Sequence, residues 1–157
     1  MPLEILPAPV RKTLLVKAGQ VRAFEVFTTG MGRWWPASHS IGKSPQKDAV
    51  MEPRTGGRWF ERGEDGTECD WGRVLVWEPP SRVVLAWQIS AEWKFDPGLQ
   101  TEVEVRFIAE GPKLTRVEFE HRNLERYGDK AEAVRKSISS DGGWPGLLAA
   151  YAAAAAE

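Results

Sequence analysis

The chain has 157 residues, of which 42% are hydrophobic and 27% are charged, and its formal net charge is -1. This length predicts one domain over residues 1–157, and the near-zero charge argues against nucleic acid or an acidic membrane surface as a partner. Cys69 is the one cysteine, so no internal disulfide forms and a reducing, cytoplasmic location is expected. The N-terminus lacks the pattern of a secretory signal, and no run approaches the roughly 20 apolar residues that insert into a membrane.

The chain opens with a strand and a helix. Alternating residues predict a strand over 10–18. Apolar residues then recur at helical spacing, which predicts a helix over 20–29 with Gly30 as its stop. A short helical turn or loop at 31–36 carries two adjacent tryptophans, and the polar, Ser- and Gly-containing segment 36–47 is expected to be a loop.

From residue 48 onward the pattern is that of β-strands joined by tight turns. Gly56-Gly57, Asp65-Gly66 and Glu78-Pro-Pro-Ser81 are typical turn sequences. The predicted strands are 49–54, 58–63, 68–78, 82–90, 101–109 and 114–122. In the last strand Thr115, Val117, Phe119 and His121 share one face, opposite a charged face. The pattern therefore predicts an antiparallel sheet with one side in water.

Two helices are predicted at the C-terminus. The first covers 129–139, and the second begins near Gly142-Gly143 and runs to about 156, with Ser140-Asp141 as its cap. Trp144, Leu147, Leu148 and Tyr151 form the apolar stripe of a packed helix. This helix is the available cover for the dry face of the sheet.

Several motifs resemble one family when they are taken in order. They are Trp34-Trp35 after the first helix, the Gly-Gly hairpin at 53–59, the Asp65-Gly66 turn, Gly72-x-Val74 leading to Pro79-Pro80 and Trp87, Thr115-x-Val117-x-Phe119-x-His121, and Gly143-Trp144. This pattern resembles the START-like, birch-allergen-like (SRPBCC) superfamily, and within it the proteins similar to the C-terminal domain of the activator of heat-shock protein 90 ATPase. The similarity covers about 10–156.

The resemblance implies an α+β helix-grip fold. In that fold a curved antiparallel sheet wraps around a long C-terminal helix, with two short helices after the first strand. The chain departs from the family pattern at 91–98, which looks like an insertion, and at the Gly-Gly-Trp-Pro start of the last helix. Both departures are expected to alter the mouth of a cavity.

A cleft between sheet and helix suits a small hydrophobic ligand, aromatic or lipid-like. The candidate cavity residues are Trp34, Trp35, Trp59, Glu61, Trp71, Trp87, Phe107, Phe119, His121, Trp144, Leu148 and Tyr151. The tryptophans fit either a cavity wall or a filled sheet–helix interface, and filling is favoured. Because strand parity separates Trp71 and Trp77 from Val74 and Val76, these four residues are not all expected to share a face. Arg58 and Arg73 are further polar candidates, although an exposed strand face is the stronger explanation for them.

An enzyme is the less favoured alternative. Neither a zinc pattern, nor a nucleophile elbow, nor a phosphate-binding glycine motif is present, so no catalytic residue, metal or cofactor is assigned. His121 shares a face with Phe119, so it is expected to point inward, either as an acid–base group or as a satisfied core histidine. His39 lies in a polar loop and is expected to be solvated.

The family name also invites a stress-related role in contact with a chaperone. In the eukaryotic activator that activity also involves an N-terminal domain, for which this chain is too short. We therefore expect no stimulation of a bacterial heat-shock protein 90 ATPase. Exposed sheet edges make a homodimer as plausible as a monomer.

Overall fold

The computed structural model describes residues 7–157. The expectation that the first residues do not form a secretory signal concerns 1–6 and lies outside this range. Seven strands and three α-helices make up the described chain. The strands are β1 Val10–Val16, β2 Gln46–Met51, β3 Arg58–Gly63, β4 Glu68–Glu78, β5 Arg82–Trp87, β6 Thr101–Gly111 and β7 Leu114–Arg122, and the helices are α1 Gln20–Phe27, α2 Ala131–Ile138 and α3 Trp144–Ala155.

All seven strands form one antiparallel sheet in the order β1-β7-β6-β5-β4-β3-β2. The first strand therefore lies beside the last, with Val10 opposite His121. Short 3₁₀ turns at Met31–Arg33 and Leu124–Lys130 follow α1 and β7. The sheet curls around α3, which confirms the predicted helix-grip α+β fold.

Strand β7 shows how the sequence selects the inner face. Its burial alternates without interruption, with Thr115, Val117, Phe119 and His121 buried and the residues between them half-exposed. Period-two alternation therefore orients this strand as expected. The buried face contributes to one hydrophobic core with α1 and α3.

The expectation for β4 is wrong at Val74, because the strand contains two irregularities. The register with β3 shifts around Trp71, and the register with β5 shifts around Leu75. Each extra residue reverses the alternation of side chains. As a result Trp71, Val74 and Trp77, three residues apart, all contact the core.

Helix α3 is held at both ends by side-chain contacts with other elements. Near its C-terminus Arg22 Nε donates to the Ala155 carbonyl (2.9 Å), and the Tyr151 hydroxyl donates to the Ala23 carbonyl (2.7 Å). At its N-terminus the residue preceding the helix is Gly143, with no side-chain capping bond. The predicted cap from Ser140-Asp141 is therefore wrong, and the buried Trp144 indole anchors this end instead.

The element boundaries also differ in detail from the predicted ones. Strand β5 ends at Trp87 instead of residue 90, because the chain turns there into a short hairpin. Strand β2 begins at Gln46, inside the segment expected to be a loop. The Pro79-Pro80 turn, whose peptide bond is cis, joins β4 to β5 as expected.

The outer face of the sheet carries a lattice of ion pairs centred on Glu104. Its carboxylate accepts from Arg82 Nε (2.7 Å), from Arg106 Nε (2.9 Å) and from Arg122. Burial opposes the charged form of Glu104, but the hydrogen bonds from the three arginines outweigh it and lower its pKa to about 2. This face is charged, as the sequence predicts, yet Glu104 itself is nearly buried.

Candidate ligand-binding site

A cavity of about 380 Å³ lies at the N-terminal end of α3. It is bounded by the loop at 38–41, by the hairpin that follows β5, and by the connection between α2 and α3. Its lining residues are Trp35, Ser38, His39, Ser40, Ile41, Trp71, Trp87, Ile89, Trp93, Ser137, Ile138, Ser140, Gly142, Gly143, Trp144 and Leu147. The volume is within the range of about 300–1,000 Å³ that small-molecule sites occupy.

Four buried indoles form the apolar wall. Trp35 contacts Trp71 (ring centroids 4.8 Å apart) and Trp144 (6.0 Å), and Trp144 contacts Trp87 (5.5 Å). Most of these pairs are tilted or edge-to-face, the arrangements that aromatic quadrupoles favour. The wall is therefore one continuous aromatic surface contributed by a loop, two strands and a helix.

The buried carboxylate of Glu61 supports this wall from behind. It accepts hydrogen bonds from the Trp71 indole (2.9 Å), from the Ser40 hydroxyl and from the backbone N–H groups of Ile41 (2.6 Å) and Gly42 (3.2 Å). Charge-assisted bonds of this kind are stronger than neutral ones. Glu61 thus fixes the orientation of Trp71 and the path of the loop that forms the opposite rim.

His121 is fully buried and does not line the cavity. Trp144 Nε1 donates to His121 Nδ1 (3.1 Å), so the ring proton is on Nε2, which donates to Thr101 Oγ1 (2.8 Å). The Thr101 hydroxyl then donates to the Trp87 carbonyl (3.1 Å). Burial lowers the pKa of His121 to about 3, so the ring is neutral at physiological pH. The arrangement is that of a satisfied core histidine, which positions Trp144.

His39 occupies the rim instead. Its Nε2 lies 2.7 Å from the Gly142 carbonyl, which only accepts, so this nitrogen carries the proton and Nδ1 is left to accept from the Ser38 hydroxyl (3.2 Å). The Trp35 indole donates to the His39 carbonyl (3.0 Å). Among the residues that line the cavity, His39 is the one with an acid–base side chain.

The structure brings together four of the residues proposed from the sequence, Trp35, Trp71, Trp87 and Trp144. The others pack behind the wall or at the far end of α3. These are Trp34, whose indole donates to the Val26 carbonyl, Trp59, Glu61, Phe107, Phe119, His121, Leu148 and Tyr151. Arg58 and Arg73 lie away from the cavity, and Arg58 pairs with Glu68 and Asp70.

Sequence reasoning missed the rim. Ser38, His39 and Ser40 come from a loop that the sequence only marks as polar, and Ser137 and Ser140 come from the junction of two helices. These residues lie far apart in the chain and meet only because the sheet curls. Two signals were available, since the 91–98 segment and the Gly-Gly-Trp-Pro start of the last helix were both expected to alter the mouth. The first contributes Trp93 to the lining, and the second contributes Gly142, Gly143 and Trp144.

No cluster of three or more His, Cys, Asp or Glu side chains that could hold a metal ion occurs in residues 7–157. Within the same residues, no helix is both long enough and apolar enough to cross a membrane.

Comparison with known proteins places these features in a family. The model of the family described as "Activator of Hsp90 ATPase homolog 1-like protein" matches residues 17–155. The anthrahydroquino-gamma-pyrone synthase Txn09, solved as a complex, is 40% identical, with 98% of this chain and 99% of that chain covered and a TM-score of 0.66. The self-sacrificing resistance protein CalC from Micromonospora echinospora is 33% identical, with 94% and 93% covered and a TM-score of 0.70.

A third structure agrees in fold alone. The Aha1 dimer from Colwellia psychrerythraea is 17% identical, with 94% of this chain and 96% of that chain covered and a TM-score of 0.61. No match was found among curated proteins. The family model spans most of the sheet and all three helices, and two solved relatives exceed 30% identity over nearly the whole chain. The chain therefore belongs to the family of activator of Hsp90 ATPase homolog 1-like proteins.

Proposed function

We propose that the protein binds a small, largely apolar and uncharged molecule in the cavity at the N-terminal end of α3. The observation that carries this proposal is the composition of the wall. Four buried indoles face the space, and among the lining residues only His39 has an acid–base side chain. Such a surface recognises an apolar ligand with a few oxygen or nitrogen atoms directed at the serine-rich rim.

The wall is also pre-organised. The indoles of Trp35, Trp71 and Trp144 each donate to a group of the protein, namely the His39 carbonyl, Glu61 and His121. Side chains that are locked in this way lose little freedom when a ligand arrives, which favours affinity. The same bonds oppose collapse of the indoles into the empty space.

The relatives support a ligand-binding role. Txn09 is a synthase that was solved in complex with a bound compound, and CalC is a resistance protein. Both share the fold of this chain at identities of 40% and 33%. A family fold by itself does not decide function, so the cavity is the feature to test.

Probe binding tests the proposal directly. The uncharged fluorescent probe N-phenyl-1-naphthylamine should bind the native protein with a dissociation constant in the micromolar range, because it places aromatic surface against the indoles. Ile41→Phe places a larger side chain at the rim and reduces the volume of the cavity, so the dissociation constant of the probe should rise at least tenfold. Leu14→Phe, at another half-buried apolar position, is the matched control. Equal binding by both variants would contradict the proposal.

A second candidate function is proton-transfer catalysis within the same cavity. Two observations favour it. The sequence is 40% identical to that of a synthase, and His39 lies at the rim with its Nδ1 bonded only to the Ser38 hydroxyl. An imidazole at the exposed rim of an apolar cavity is placed where it can act as a general base toward a bound molecule. This assignment replaces the suggestion that His121 is the acid–base group, since both His121 nitrogens are engaged and the ring is buried.

The flat, neutral substrate 5-nitrobenzisoxazole reports general-base catalysis without knowledge of the natural substrate. If His39 acts as a base, the native protein should accelerate its ring opening, and His39→Gln should abolish the acceleration while probe binding is retained. Ser81→Ala, an exposed position outside the lining residues, is the control. Acceleration that survives His39→Gln would exclude this role for His39.

A further inference from the structure

The hairpin that follows β5 places one tryptophan in an unusual environment. Its two arms are joined by bonds from Ser90 N–H to the Lys94 carbonyl (2.7 Å) and from Asp96 N–H to the Gln88 carbonyl (2.8 Å). Trp93 lies at the tip, where its backbone N–H donates to the Ser90 carbonyl (2.9 Å). Its φ of 61° is in the left-handed region, which is unfavourable for a bulky aromatic residue.

Trp93 is the exception among the eight tryptophans of the chain. Within residues 7–157 each of the other seven packs against at least one aromatic ring, whereas Trp93 packs against none. It is 48% exposed and at the same time lines the cavity. A half-exposed indole at the mouth of an apolar cavity is thus available to contact a ligand.

The hairpin is fastened to the body of the protein at its base. The Tyr127 hydroxyl donates to the Ile89 carbonyl (2.6 Å), and Lys130 forms an ion pair with Glu92. Gln88 Nε2 also donates to the Pro97 carbonyl (3.3 Å). The tip is therefore supported from below, and the indole is held at the mouth by bonds that do not involve the Trp93 side chain.

We infer that Trp93 determines ligand specificity by stacking on a flat aromatic ring system, so that the cavity selects planar aromatic molecules over alkyl chains. This inference rests on the proposed binding function and narrows its ligand class. An indole gains from a parallel or edge-on ring beyond the area that it buries, whereas an alkyl chain gains only the buried area. Trp93 completes an aromatic surface whose other members are fully packed.

The decisive variant is Trp93→Leu, which keeps apolar surface but removes the ring face. Anthraquinone serves as the planar probe and dodecanol as the flexible one, both followed by isothermal titration calorimetry. The native protein should bind anthraquinone more tightly, and Trp93→Leu should weaken anthraquinone about tenfold while it changes dodecanol binding by less than twofold. Phe95→Leu, on the same hairpin at 37% exposure but outside the lining residues, should change neither.

The outcomes separate this inference from the proposed function. If the native protein binds neither probe, the proposed function fails. If it binds both and Trp93→Leu weakens both equally, Trp93 supplies only apolar area and the inference is wrong. The unfolding midpoint of Trp93→Leu should equal that of the native protein, because the indole is half-exposed and has no ring partner within residues 7–157; a lowered midpoint would point to a structural role instead.

Discussion

The two ends of helix α3 rest on aromatic side chains, yet only one end leaves a cavity. At the C-terminal end Tyr151, Phe27 and Phe107 pack edge-to-face, with centroids 5.1 and 5.8 Å apart, and fill the space between sheet and helix. At the N-terminal end Trp35, Trp71, Trp87 and Trp144 surround an open volume. The difference shows that aromatic content does not decide whether a core is closed.

What differs is the use of the polar atoms. At the C-terminal end of α3, which we call the closed end, the rings pack against one another and the Tyr151 hydroxyl donates to the Ala23 carbonyl. At the N-terminal end, which we call the open end, three indole N–H groups donate hydrogen bonds, so each ring is fixed at its edge. The pairs are Trp71 with Glu61, Trp144 with His121, and Trp35 with the His39 carbonyl. Since a buried donor without a partner is costly, these rings do not turn inward to fill the space.

The largest effect is expected in the closed end. Phe27→Ala removes a fully buried ring that contacts three other aromatic residues, and should reduce the free energy of unfolding by about 3–5 kcal/mol. Urea denaturation followed by tryptophan fluorescence measures it. Trp93→Ala, in the open end, should cost less than about 1 kcal/mol. Similar losses for the two variants would remove the distinction between the ends.

The next effect concerns the support of the open end. Glu61→Gln exchanges a carboxylate that accepts four bonds for an amide, one side of which is a donor facing N–H and O–H groups. We expect a loss of about 2 kcal/mol in stability and weaker binding of the fluorescent probe, because both Trp71 and the rim loop lose their anchor. Glu118→Gln on the outer face is the control, with a change below about 0.5 kcal/mol. Unchanged probe affinity in Glu61→Gln would show that the wall does not depend on this carboxylate.

A pH titration examines the anchor of Trp144. The folded-state pKa of His121 is about 3 because of burial, and the unfolded value is about 6.5, so the unfolded chain binds more protons between these limits. The contribution of neutral His121 to the free energy of unfolding is complete above about pH 6.5 and is lost as the pH falls toward 3. By pH 5 the loss should reach about 2 kcal/mol relative to pH 7. In His121→Gln the free energy of unfolding should hardly change between pH 7 and 5. If it falls with pH as steeply as in the native protein, groups other than His121 take up the protons.

The smallest effect is expected on the outer face. Glu104→Gln weakens the pairs with Arg82, Arg106 and Arg122 and should cost about 1 kcal/mol, with a smaller cost at high salt. The lowered pKa of Glu104 means that its contribution is present above about pH 4.5 and disappears as the pH falls toward 2. Probe binding should not change, since Glu104 is on the face opposite the cavity. A large change in probe affinity in Glu104→Gln would show that the two faces of the sheet are energetically coupled.

The fold was predictable from the sequence because its signals are local. The alternation in β7, the turn at Pro79-Pro80 and the apolar stripe of α3 each depend on neighbouring residues, and each has the predicted structure. The two irregularities of β4 were not predictable, because a register shift is defined by the partner strand. They are the reason that Val74 contacts the core together with Trp71 and Trp77.

The candidate site was predictable only in part. Trp35 and Trp34 are adjacent and equally buried, yet one lines the cavity and the other donates to Val26 in the closed end. No feature of the sequence separates them, since the choice depends on which end of α3 each ring meets. His39 shows the same limit, because its partner at Gly142 is 103 residues away.

The fastening of α3 at both ends has a consequence for how a molecule reaches the interior. Arg22 holds the last turn, and the bond between Trp144 and His121 holds the first. A helix secured in this way does not swing away from the sheet, so entry requires movement of the thinner elements around the mouth, the loop at 38–41 and the hairpin that carries Trp93. Backbone amides of α3 should therefore exchange with deuterium far more slowly than those of the two mouth segments, and a bound ligand should slow exchange chiefly in the latter.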